Sequence, residues 1–188
     1  MLFVATQYSQ HIMLFPLFVY GTLKKGFSNY ARHCSTAVSI EPAWCWGRLY
    51  ALEAGYPAME LPEQTIQAIG TTEYKLDAQQ QGKVLNFEPP RGDWDMVQGE
   101  LMYFKNPNQE IPPIDLLEDF NPGSDKNLYE RVLITIKTEE GLVNAWTYMM
   151  KDGKHGGSRL SLSQEGVVEW KSTDTGYIGE SQTAASVL

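Results

Sequence analysis

Residues 14–23 read LFPLFVYGTL and combine an apolar run with the turn that ends it. The run from Met13 to Tyr20 is typical of a β-strand, and the glycine that follows favours a sharp turn. Such a turn presents several backbone N–H groups on its concave side, where they can bind a carboxylate or a developing oxyanion. The other interpretation is an ordinary strand-to-loop turn, and the residues of this segment leave both open.

A second segment, residues 112–120, reads PPIDLLEDF and predicts a short helix, since proline is tolerated in a first helical turn. Ile114 and Leu117 are three residues apart and define the predicted buried stripe. Glu118 then lies at the border of that stripe, with Asp115 on the same helix face. Partial burial and a neighbouring like charge both raise a carboxyl pKa, which suits a general acid or base near neutral pH. The alternative is a solvated acidic face.

The rest of the chain predicts mainly strands. The strand patterns cover residues 44–52, 97–104, 128–138 and 142–150, and residues 69–76 read as a further strand. A short helix is predicted over residues 26–36, with Ser28 as its N-cap. Residues 62–95 read as a surface excursion. Since strands dominate and hairpin spacings recur, we predict an α+β fold with a mostly antiparallel, barrel-like sheet of about six strands.

Composition excludes several functional classes. The 188 residues carry 23 acidic and 15 basic side chains, a formal charge of −8, and no block of like charges. We therefore expect no binding to nucleic acid or to an anionic membrane surface. The apolar runs are far shorter than the ~20 residues of a membrane span. Cys34 and Cys45 are interpreted as small buried residues in a reducing compartment, and no histidine spacing predicts a metal site.

The two segments resemble the gamma-glutamylcyclotransferase-like family when they are taken together. The motif Tyr20-Gly21-Thr22-Leu23 matches the family's first-strand signature, and Gly55-Tyr56-Pro57-Ala58 is similar to a second turn of its small members. Residues 114–118, followed by residues 120–122 and 128–132, resemble its acidic helix, loop and next strand. Gly156-Gly157 resembles a late loop of bacterial members. The resemblance covers roughly residues 14–171 and implies a small barrel with a pocket beside the first-strand loop.

The resemblance also implies an activity and a set of roles. Family members cyclise a γ-glutamyl group and release 5-oxoproline with a free amine or amino acid, and they need no metal or cofactor. Glu118 occupies the position of the catalytic glutamate. The implied substrate-binding residues are Tyr20, the backbone of Gly21, Thr22 and Leu23, and two residues of the following strand, Tyr129 and Arg131. The expected partner is a small γ-glutamyl molecule.

Several alternatives remain open at this point. An alignment shifted by three residues would place Asn121 where the glutamate belongs, and an amide cannot act as a base. The same fold could also serve as a non-catalytic module that binds a small carboxylate or a protein. A cyclotransferase that deprotects a larger substrate would need a wide, open pocket. The excursion over residues 62–95 could cover the pocket or be surface decoration.

The expected domain organisation is one domain over residues 14–171, an N-terminal extension over residues 1–13 and a flexible tail over residues 172–188. The first twelve residues contain no Lys or Arg and make a poor secretory signal, so a cytoplasmic location is expected. Met13 is a candidate for the natural start.

Overall fold

The computed structural model describes residues 13–80, 82–83, 86–150 and 157–171. Within these residues nine strands form one sheet. The strands are β1 (Phe15–Val19), β2 (Ser39–Ala51), β3 (Pro57–Glu60), β4 (Ala68–Ile69), β5 (Asp95–Phe104), β6 (Tyr129–Thr138), β7 (Leu142–Met150), β8 (Ser158–Arg159) and β9 (Val167–Glu169). The helices are α1 (Tyr30–His33), α2 (Tyr74–Gln79), α3 (Pro107–Glu110) and α4 (Pro112–Leu117), with a 3₁₀ turn at Glu63–Thr65.

Five of the strands close into a barrel. Their order is β2-β5-β1-β7-β6, and a pairing of β2 with β6 returns the sheet to its start. The ring is antiparallel except between β1 and β7, where Leu17 pairs with Trp146 in parallel. This confirms the predicted α+β class and the mostly antiparallel barrel.

The first strand is buried on both of its faces. Phe15, Leu17 and Val19 belong to one buried cluster, whereas Phe18 belongs to a second cluster on the other side of the sheet. A strand covered on both sides has no polar face, which explains the continuous apolar run at the start of the domain. The strand ends at Val19, and the chain then leaves the sheet through the turn at residues 20–23.

The longer predicted strands are confirmed, but the smaller elements depart from prediction. The strand predicted over residues 69–76 is wrong: only Ala68–Ile69 pairs with β6, and the chain then forms α2. Tertiary contacts decide this, since the Asp77 carbonyl accepts a hydrogen bond from Trp146 Nε1 at 3.0 Å. The helix predicted over residues 26–36 is reduced to α1, whose N-cap is Asn29 rather than Ser28.

Some predictions concern residues outside the described part of the chain. The proposed N-terminal extension, apart from Met13, and the proposed tail over residues 172–188 belong to this group, as does Gly156. Among the described residues, the helices are all too short or too polar to cross a bilayer.

Candidate active site

A cavity of about 230 Å³ opens beside the turn that follows β1. The turn contributes one wall, the start of β3 and the first residue of β6 contribute a second, and the end of α4 contributes a third. Its lining residues are Phe18, Val19, Tyr20, Gly21, Thr22, Leu23, Asn29, Tyr56, Pro57, Leu117, Glu118, Leu128, Tyr129 and Tyr148.

The turn carries a row of unpaired backbone donors. The N–H groups of Gly21, Thr22 and Leu23 have no acceptor among the residues that the structure describes. Asn29 fixes the turn from the other side, since its backbone N–H donates to the Thr22 carbonyl and its side-chain amide to Thr22 Oγ1, both at 3.0 Å. Three consecutive free donors in a fixed turn can bind an anionic oxygen.

Glycine is required at position 21 by a close contact across the cavity wall. A Cβ atom added there would lie 2.5 Å from Cγ of Pro57, which is closer than side-chain atoms approach one another. The absence of a side chain lets the turn pack against the start of β3. The conformation of this turn therefore depends on the pair Gly21–Pro57.

Glu118 lies where helix α4 ends. Its N–H still donates to the Ile114 carbonyl at 3.0 Å, but Asp119 adopts a positive φ of 50° and breaks the helix. The Glu118 carboxylate receives no hydrogen bond from the described part of the chain. Burial, with a smaller contribution from the charge of Asp115, raises the pKa of Glu118 to about 7. A carboxyl group in this state can take up and release a proton near neutral pH.

Asp115 has a different environment from Glu118, although the two share one helix. Both of its carboxylate oxygens accept from Arg131 Nη1, at 2.7 and 2.6 Å, and one also accepts from the Tyr148 hydroxyl at 2.6 Å. Burial raises the pKa of Asp115, while the Arg131 guanidinium beside it opposes that rise. Because Tyr148 also lines the cavity, the buried network reaches the cavity wall through its ring.

Arg131 is not brought to the cavity. Its side chain is 0% exposed and pairs with Asp115 and with Asp77, the latter at 2.8 Å, while Nη2 also donates to the Thr71 carbonyl. Its charge is thus neutralised inside the protein, so the structure places Arg131 in a buried ion-pair network and not among the residues that line the cavity. The excursion over residues 62–95 is likewise more than decoration, because it supplies Asp77.

The two tyrosines expected at the site both line the cavity. Tyr129 is buried, and its hydroxyl donates to the Pro57 carbonyl at 2.9 Å. Burial raises the pKa values of both Tyr20 and Tyr129, and the Glu118 charge adds to the rise in each. Both phenols therefore stay protonated at neutral pH.

A family model described as gamma-glutamyl cyclotransferase, AIG2-like, matches residues 17–96 and 71–171, a span that contains every lining residue of the cavity. The chain belongs to this family. The predicted resemblance is thereby confirmed, and Tyr20–Leu23 and Glu118 both fall within the matched span.

Three relatives of this family member share 18–26% of its sequence. The γ-L-glutamyl-butirosin B γ-glutamyl cyclotransferase of Niallia circulans is 26% identical over 134 residues, which cover 71% of this chain and 65% of that protein. The structure of YkqA from Bacillus subtilis is 21% identical, with a TM-score of 0.46, and the match covers 74% of this chain and 36% of YkqA. A protein of Arabidopsis thaliana solved in solution is 18% identical, with a TM-score of 0.47, covering 87% and 80% of the two chains.

Sequence reasoning about this family member missed part of the cavity. Tyr148, on β7, and Asn29, before α1, line it although neither stands in a recognisable motif. Leu117, predicted to lie in the core, is 38% exposed and lines the cavity instead. Sequence motifs and hydrophobic periodicity do not identify such residues, because positions on strands and loops come to line a cavity only when the barrel closes.

The alternatives at the acidic helix can be placed in the structure of this family member. Asn121 is exposed and does not line the cavity, whereas Glu118 does.

Cys34 is buried, and burial raises the pKa of its thiol to about 12, so it is not an activated nucleophile. Cys45 is also buried, which fits its interpretation as a small apolar residue. The described part of residues 62–95 contributes no lining residue.

Proposed function

We propose that the protein is a γ-glutamyl cyclotransferase that converts a γ-glutamyl amine or small γ-glutamyl peptide into 5-oxoproline and a free amine or amino acid. One observation carries the proposal. A carboxyl group with a pKa of about 7 lines the same cavity as Gly21, Thr22 and Leu23, whose backbone N–H groups have no acceptor in the described part of the chain. A proton acceptor and a set of backbone donors that bind the substrate's oxygens suit this intramolecular acyl transfer.

Glu118 is the general base and acid in this proposal. Its carboxylate takes a proton from the substrate's α-ammonium group, and the freed amine attacks the γ-carbonyl carbon of the same molecule. A new C–N bond closes a five-membered ring while the bond to the leaving amine breaks. Glu118 then returns its proton to the leaving nitrogen. Because nucleophile and carbonyl belong to one molecule, the attack has a large entropic advantage.

The turn after β1 binds the substrate's oxygen atoms in this proposal. The N–H groups of Gly21, Thr22 and Leu23 would hold a carboxylate of the substrate, equally in the ground state and in the transition state. Tyr20 and Tyr129 line the same cavity and would restrict the substrate to one orientation. All of these groups come from the protein, so the proposed reaction uses only acid–base chemistry and hydrogen bonding.

The comparisons support the reaction class more than the substrate. Family membership makes a γ-glutamyl group the natural candidate, and the name of the Niallia circulans relative describes the removal of such a group from butirosin B. A test panel should therefore vary the leaving amine and include γ-glutamyl dipeptides, γ-glutamyl alkylamines and γ-L-glutamyl-butirosin B.

The test is release of 5-oxoproline from that panel by the wild-type protein, E118Q and E139Q. Glu139 is exposed and lies outside the cavity, so E139Q controls for the same chemical change elsewhere. We expect release by the wild type and by E139Q, and none by folded E118Q. Equal release by E118Q would refute the role of Glu118. No release by any protein, together with saturable binding of γ-glutamyl ligands, would favour the non-catalytic module.

A further inference from the structure

A buried lysine follows directly after the turn that lines the cavity. Lys24 is 3% exposed, and its ammonium lies 2.9 Å from Glu169 Oε1 and 2.8 Å from the Trp170 carbonyl oxygen. The ammonium also lies 4.9 Å from the centre of the Phe27 ring. Burial of a cation is costly unless its hydrogen bonds are satisfied, so these contacts account for its position.

The partners of Lys24 lie at the end of β9, since Glu169 is its last residue and Trp170 follows it. This strand continues the line of β1 along the same edge of β5. Val19, the last residue of β1, pairs with Glu100 of β5, and Glu169, the last residue of β9, pairs with Gln98 of β5. The carboxyl ends of β1 and β9 therefore meet on either side of Gly99. A side chain at Gly99 would overlap the Val19 carbonyl oxygen and the Phe18 ring. The chain that leaves β1 therefore passes directly beside the end of β9.

Lys24 is tied to the turn as closely as it is tied to β9. Its backbone N–H donates to the Gly21 carbonyl at 3.1 Å, which closes the turn whose N–H groups at residues 21–23 have no acceptor in the described part of the chain. The side chain thus connects this turn to a strand almost 150 residues later, at separations of 145 and 146 positions. A shift of either strand end would change the direction of the N–H groups.

We propose that Lys24 is a positioning residue of the substrate site, which holds the N–H groups of Gly21, Thr22 and Leu23 in place by anchoring their turn to β9. The inference rests on the proposed function, since it assigns those N–H groups to the substrate's oxygens. Lys24 does not line the cavity itself and does not contribute to the pKa of Glu118. Its loss should therefore weaken substrate binding while the acid–base step is retained.

The kinetic test compares K24M with K25M. The two lysines are neighbours, but Lys25 is exposed, so K25M makes the same chemical change without the anchor. For K24M we expect KM to rise by about tenfold or more, with kcat within about threefold of wild type and the same pH midpoint. K25M should leave all three values unchanged. K24R should recover much of the affinity, because it keeps the charge and the donors.

A purely structural role for Lys24 gives a different result. Loss of folded protein lowers the apparent kcat and leaves KM unchanged, and that outcome would overturn the proposal. If K24M does not fold, E169Q provides the second variant. It removes one charged partner at a residue whose side chain is 34% exposed and leaves the Trp170 carbonyl in place. We expect KM to rise about two- to fivefold in E169Q, and an unchanged KM would count against the anchor.

Amide hydrogen exchange separates this inference from the proposed function. The N–H groups of Lys24 and Asn29 are hydrogen-bonded within the turn, and their exchange can be followed without any substrate. We expect at least about tenfold faster exchange in K24M than in K25M. Faster exchange together with a wild type that is inactive on every γ-glutamyl compound would support the anchor and refute the proposed reaction. Equal exchange in the two variants would refute the anchor.

Discussion

Asp115 and Glu118 lie three residues apart at the end of one helix, yet only Asp115 is held by hydrogen bonds. Arg131 and Tyr148 donate to the Asp115 carboxylate, whereas the Glu118 carboxylate has no donor in the described part of the chain. The charge of Asp115 also raises the pKa of Glu118, second to the effect of burial. One carboxylate is thus fixed in place, and the other remains available to exchange protons.

The pH dependence of activity follows from the state of Glu118. Its pKa is about 7, so the fraction of enzyme with an ionised base should rise through neutral pH. We expect kcat/KM for 5-oxoproline release to increase tenfold per pH unit below about pH 6 and to level off above about pH 8. Initial rates at saturating and limiting substrate between these limits would measure it. A midpoint near the ordinary glutamate value of 4.5 would contradict the assignment.

Stability should respond to the same group in the opposite sense. The pKa of Glu118 is higher in the folded protein than in the unfolded chain, so its contribution to stability is complete at low pH and is lost as pH rises through about 7. We expect E118Q to exceed the wild type in unfolding free energy by about 1–3 kcal/mol at pH 8, with a smaller difference at pH 5. Urea unfolding at both values would measure this. E139Q should show no such trend, and a difference that does not depend on pH would refute the explanation.

Removal of the Arg131 guanidinium should destabilise the fold. The side chain is fully buried and pairs with two carboxylates, so R131M leaves both Asp77 and Asp115 without their cation. We expect a loss of about 3–5 kcal/mol in unfolding free energy. R159M removes an arginine with two carboxylate partners that is one-third exposed, and should cost about 1 kcal/mol or less. Chemical denaturation of both variants provides the comparison, and equal losses would contradict the structural role.

The contact between Gly21 and Pro57 predicts a paired result. A methyl group at position 21 would meet the proline ring at 2.5 Å, so G21A should lose about 1–3 kcal/mol in stability and most of its activity. P57A removes the ring atoms at the point of contact but keeps the carbonyl that accepts from Tyr129. We therefore expect the double variant G21A/P57A to recover part of both losses. If the double variant shows the sum of the two single effects, steric conflict is not the cause.

The sequence predicts the strands that are long enough to show a hydrophobic pattern. Residues 142–150 form the predicted strand with its predicted bounds, because apolar residues at both odd and even positions are typical of a strand that is covered on both faces. The pattern is absent in β4 and β8, which have two residues each and exist only because β6 and β2 pair with them. Residues 69–76 were misread for a related reason, since the contacts of Asp77 select a helix there.

The residues of the candidate site likewise divide into those that stand in recognisable segments and those whose position depends on tertiary contacts. Glu118 and the turn at residues 20–23 stand in recognisable segments, and both line one cavity. The family resemblance implies a substrate-binding role for Arg131, which lies on the same strand as Tyr129. Its side chain is kept away from the cavity because two buried carboxylates pair with its guanidinium. Asp77 and Asp115 come from two separate helices, and no local pattern relates them to Arg131.

The barrel is joined unevenly around its ring. β2 and β6 share only the pairs Ala43–Thr138 and Trp44–Lys137, whereas β6 and β7 pair along nine positions. At the other end of β6, the Tyr129 hydroxyl reaches the Pro57 carbonyl of β3, the strand that pairs with the end of β2. This side of the cavity is therefore closed by a phenol and not by a ladder. Loss of this one side-chain hydrogen bond, worth about 1 kcal/mol, would widen the cavity for a bulkier substrate while the pairing between β6 and β7 is kept.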